Sequence, residues 1–140
     1  MRGAEATNLV VAEWVAKAEE DLTTAAHTLK LGQSCPTSTV CFHAQQAVEK
    51  YLKAYLASQG TPFPKTHEIE ELVARMPVDT RPALSLEEQA LLTEYAVGTR
   101  YPGWRDVPLA EAQEAVKLAR RVRKHLRSLL PKEALRRRKR

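Results

Sequence analysis

Apolar residues recur along this chain at helical spacing, about 3.6 residues apart, and no run alternates with the period of a strand. From Asn8 to Leu31 the apolar positions Leu9, Val11, Trp14, Val15, Ala18, Leu22, Ala25, Ala26 and Leu29 predict one long helix. Asp21 lies near that stripe, and a carboxylate buried there needs a partner. Gly32 and the Ser34–Cys35–Pro36 turn end the helix. A second helix then runs to about Ser58, closed by Gly60. Its core face holds Val40, Ala44, Ala47, Val48, Tyr51, Leu52 and Tyr55.

The remaining elements follow from caps and breakers. Pro62 and Pro64 predict an extended connection. Thr66 caps a short third helix with Ile69, Leu72, Val73 and Met76 inward, stopped by Pro77. Ser85 and Glu88 form a capping-box pattern opening a fourth helix, which ends before the GTRYPGW segment. A last helix begins at Pro108 and continues to Pro131, with a strongly basic outer side from Lys117 to Arg127. The pattern predicts an all-α, up-and-down bundle of four main helices plus one short helix over residues 1–131.

Composition changes this picture in one respect. Of the 22 basic residues, five form the terminal run Arg136, Arg137, Arg138, Lys139 and Arg140; the other 17 balance 17 acidic residues. The formal charge of +5 and pI near 9.4 thus describe a basic C-terminal tail, residues 132–140, rather than a basic body. Cys35 and Cys41 are expected as free thiols. No signal core or membrane-length apolar segment is present, which predicts a cytoplasmic protein without a membrane partner. No zinc ligand set, P-loop, dinucleotide fingerprint or Ser–His–Asp pattern occurs, so neither metal nor cofactor is expected.

Candidate chemistry gathers in three places. His43, Gln46, Lys50 and Lys53 form a polar strip along helix two; the first three border its apolar face. Lys65, Thr66 and His67 open helix three, and Arg100, Tyr101, Trp104 and Arg105 fill the break before the last helix. Arginine supplies a planar donor fork and tyrosine a stacking surface, a mixture suited to a ligand bearing phosphate and base. The alternative for an arginine in such a loop is to anchor it on a carboxylate, Asp21 or Glu49.

The stretches WVAKAEEDL from Trp14, FHAQQAVEKYLKAYL from Phe42, KTHEIEEL from Lys65 and TRYPG from Thr99 together resemble the HEPN domain, in order and over most of the chain. The resemblance implies a helical bundle, usually dimeric, often paired with a minimal nucleotidyltransferase as a toxin–antitoxin module. It also implies, for many members, metal-independent ribonuclease activity through an R-x4-6-H motif. This chain departs there: after Arg100 the positions of the histidine hold Arg105, Asp106 and Val107. Arg120 and His125 match the spacing within a helix, where five residues turn the side chains about 140° apart.

The sequence therefore predicts a binding module: a non-catalytic HEPN subunit that binds a nucleotide or nucleic acid through His43, Gln46, Lys50, Lys53, His67, Arg100, Tyr101 and Arg105. The alternatives are a divergent ribonuclease using His43 or His67 as acid and base, or a purely structural dimer module. Phe42 and Leu56, off the core face of helix two, support a homodimer. His43, Gln46, Lys50 and Arg100, with Tyr101, are expected to converge on one cleft beside helix three.

Overall fold

The computed structural model describes residues 2–136. α1 (Arg2–Leu29) and α2 (Thr37–Ser58) form an antiparallel hairpin across a short 3-10 turn at Gly32–Ser34. α3 (Ile69–Ala74), α4 (Leu86–Val97), α5 (Leu109–Arg127) and α6 (Lys132–Leu135) follow, with 3-10 turns at Val78–Thr80 and Gly98–Arg100. Among the described residues there is no strand, and no helix is long and apolar enough to cross a membrane.

α2 is the central element, packed by α1, α3, α4 and α5. Contact from so many directions buries residues all round it, from Val40 and Cys41 through Tyr51 and Leu52 to Leu56. A one-face reading of α2 therefore fails at its C-terminal half: Leu56, expected off the core face, is fully buried. Leu52, Leu56, Leu72, Leu92 and Leu126 are all 0% exposed, each contributing roughly 1.5–3 kcal/mol of burial. Gly60 stops α2 at φ +66°, a left-handed conformation that a Cβ disfavours.

The helix ends obey local chemistry. Ser85 and Glu88 make both bonds of the capping box of α4. α3 starts later than its sequence pattern suggests: Thr66 Oγ1 accepts from Glu68 N–H, and the first helical residue is Ile69. The packed body continues past Pro131, because α6 lies against α1 and buries Ala134. Arg137, Arg138, Lys139 and Arg140 of the basic tail lie outside the described residues. Cys35 and Cys41 are free; burial pushes the Cys41 thiol up to about 12.

Candidate functional site at the edge of the central helix

His43 and Lys50 are seven residues apart, two turns of α2, so their side chains leave the helix on one line about 10.5 Å apart. Asp21 of α1 sits between them. Its Oδ1 lies 2.8 Å from His43 Nδ1 and its Oδ2 accepts from Lys50 Nζ at 2.5 Å. The carboxylate is 12% exposed, and these two partners satisfy it. With Nδ1 committed, His43 keeps Nε2 for other partners.

The row extends at the His43 end. The Phe42 ring stands edge-on to the His43 ring at 5.4 Å, and the Arg100 guanidinium lies 5.4 Å from the Phe42 centroid, a cation–π contact. Arg100 Nε donates to the Ala96 carbonyl, which ties the side chain to the end of α4. Arg75, Arg105, Arg121 and Arg123 each have a carboxylate partner, whereas Arg100 has none among the described residues. Arg100 therefore anchors on neither Asp21 nor Glu49; histidine and lysine hold those carboxylates. Tyr101, next to it, is 65% exposed.

Gln46 shares this edge but donates to Gln45, whose amide in turn reaches Glu49 and the His67 carbonyl. Here a second cluster begins, built on the buried Glu49 and Lys53. Glu49 accepts from Lys53 Nζ at 2.9 Å and pairs with His67 Nδ1 at 2.9 Å. Lys53 is buried, with its ammonium 5.6 Å from the Trp14 ring and 5.9 Å from the Phe63 ring. Burial pushes the Glu49 carboxyl up, but the bonds from Lys53, His67 and Gln45 outweigh it and hold it below its ordinary value. This cluster ties the 61–68 connection to α2; Lys53 and the Nδ1 face of His67 are used in doing so.

Arg105 is likewise an anchor. Its guanidinium grips Glu111 through both terminal nitrogens at 3.0 and 2.7 Å, reaches Glu94 at 3.2 Å, and lies over the Trp104 ring. The Arg105 bonds pull the Glu111 carboxyl down against a smaller effect of burial. Trp104 packs on Gly98 so closely that a Cβ there would fall 2.0 Å from the indole nitrogen. Together these contacts hold the 98–107 loop and present Arg100.

Of the expected residues, His43, Lys50 and Arg100 thus share one row, with Gln46 and Tyr101 at its margins. Lys53, His67 and Arg105 stand apart from it. Asp21, which joins the row, is legible in the sequence only as a carboxylate on an apolar stripe. Phe42, expected at a dimer contact, bridges His43 to Arg100. The row is a surface strip. Cavities of about 1050 and 420 Å³ lie elsewhere, between α1, α5 and α6. Volume alone would choose those. The row is the candidate site because it holds an arginine without an acidic partner, among the described residues, beside an oriented histidine. Among the described residues no His, Cys, Asp or Glu group is arranged to hold a metal. The chance Arg120–His125 match is divided in space: Arg120 lines the α1–α5 cavity, and His125 Nε2 bonds the Thr80 carbonyl.

This all-helical bundle, built around a central helix packed on several sides, is that of a HEPN domain. The sequence matches the HEPN domain family over residues 11–129, and the chain belongs to that family. TT1696 from Thermus thermophilus is 28% identical, with a TM-score of 0.72, covering 87% of this chain and 99% of its own. ST0689, an archaeal HEPN homologue, is 25% identical with a TM-score of 0.68, covering 86% and 98%. No curated protein matches.

Proposed function

We propose that this HEPN protein is a non-catalytic subunit that binds a nucleotide or nucleic-acid segment at the Arg100–Phe42–His43–Asp21–Lys50 row. The observation that carries this reading is Arg100, held over Phe42 without a carboxylate partner among the described residues. A guanidinium so placed accepts phosphate, the exposed Tyr101 ring offers a base a stacking surface, and His43 Nε2 is available to a sugar or base edge. In this reading the subunit acts as a homodimer, with a minimal nucleotidyltransferase as its expected partner in a toxin–antitoxin arrangement; the support for both is that HEPN domains are usually dimeric and often so paired. Calorimetry with a panel of mononucleotides tests the site. Weak binding that Arg100→Ala and Lys50→Ala remove, without loss of folding, supports it; no binding by the wild-type protein ends it. Sedimentation showing only monomer at micromolar concentration would remove the dimer.

One observation favours a second reading, a divergent ribonuclease. Asp21 fixes Nδ1 of His43, the arrangement that orients an imidazole for proton transfer at Nε2. Against it, the family's histidine is absent after Arg100. Cleavage of single-stranded RNA in chelator, abolished by His43→Ala, would establish the second reading over the first.

A further inference from the structure

The two cavities between α1 and α5 share Glu19, Thr23 and Arg123, so they form one trough along the hairpin-facing side of α5. Lys117, Arg120, Arg123, Lys124 and Arg127 fall within an arc of about 120° on α5 and span about 15 Å. Arg120, Arg123 and Lys124 line one part of the trough, and Arg123 and Arg127 line the other, which ends at Arg136 beside α6. Three carboxylates also line it: Glu19, at its centre, takes a bidentate grip from Arg123 and a bond from the Tyr51 hydroxyl, Glu20 pairs with Lys17 at 3.7 Å, and Glu13 stands on the α1 wall. Lys117, Arg120, Lys124 and Arg127 have no carboxylate within 4.0 Å among the described residues, unlike Arg121 and Arg123.

We infer that this trough carries the phosphate backbone of a nucleic-acid strand. The surplus charge on α5 repeats every three to four residues along one line, which fits a ligand whose charge also repeats. The hydroxyl of Thr23 on the α1 wall is suited to a phosphate oxygen, while that of Thr24 donates to the Glu20 carbonyl. No aromatic ring lines either part, so the trough tracks backbone and reads no base. The trough shares α1 with the Arg100 row, but none of the residues that line it belongs to the row. The inference rests on the proposed function in taking the ligand as nucleic acid, and it extends that ligand from a nucleotide to a strand.

The test is the salt dependence of binding to a short, labelled single-stranded RNA by fluorescence anisotropy. The variant carries Lys117→Gln, Arg120→Gln and Lys124→Gln, three exposed side chains whose removal leaves the core intact. Each lost phosphate contact lowers the slope of log K against log salt by about 0.7, so the slope should fall by about 2. The affinity ratio between wild type and variant should shrink about 16-fold from 50 to 200 mM salt. An unchanged slope overturns the inference. So does displacement of the RNA by polyglutamate at equal charge concentration, which would assign the trough to an acidic protein segment. Mononucleotide binding that Arg100→Ala removes reports on the row, so failure there with a slope loss here, or the reverse, separates the two claims.

Discussion

Asp21 Oδ1 lies 2.8 Å from His43 Nδ1 across the seam between α1 and α2. With Lys50 on its other oxygen, this carboxylate fixes the spacing of the row. Replacing the carboxylate by a neutral amide is the direct probe, since size is kept and charge removed. Asp21→Asn should lower stability by about 1–3 kcal/mol, because a half-satisfied buried network costs more than a lost surface bond. A thermal melt coinciding with wild type would show that the pair is incidental.

Arg100 and Arg105 should separate binding from folding. Arg100→Ala removes no ion pair and should leave the melting temperature nearly unchanged while nucleotide binding is lost. Arg105→Ala breaks the grip on Glu111 and Glu94 and should destabilise by about 1 kcal/mol, since the group is 39% exposed and screened. Equal effects of both variants on melting would place Arg100 in the scaffold.

Gly98→Ala tests how the loop is held. The new Cβ would overlap the Trp104 indole, so the ring must leave its seat at a cost of about 1–3 kcal/mol. Near-UV circular dichroism should lose the Trp104 signal along with a lower melting temperature. An unaltered spectrum would mean that the ring has room to adjust.

Acid should unfold the protein through three carboxylates. The Glu19, Glu49 and Glu111 carboxyls lie below their ordinary value of 4.5 when folded. A lowered folded pKa adds stability above the unfolded value, and that stability is lost as pH falls through the folded one. Melting temperature should therefore hold down to about pH 4.5 and drop below it. Glu49→Gln should flatten part of that drop and also lower stability by several kcal/mol at pH 7, because Lys53 is left buried without its anion. A melting temperature independent of pH between about 5 and 3 would refute the assignment.

The sequence by itself determined the helices, because caps, breakers and 3.6-residue periodicity are local. The Ser85–Glu88 box and the closing glycine of α2 stand where the pattern puts them. It also determined that His43, Gln46 and Lys50 share an edge, since helix geometry alone aligns them. The short α6 escapes such a reading because a four-residue helix with one buried alanine has no periodicity to display. Tertiary packing decided the rest. α2 is packed from several sides, so Leu56 and Lys53 turn inward where a one-face helix would expose them. Which cation meets which carboxylate depends on distances between α1, α2 and the 98–107 loop, set by the whole core. That is why Asp21 meets His43 and Lys50, Arg105 meets Glu111, and Arg100 is left facing Phe42.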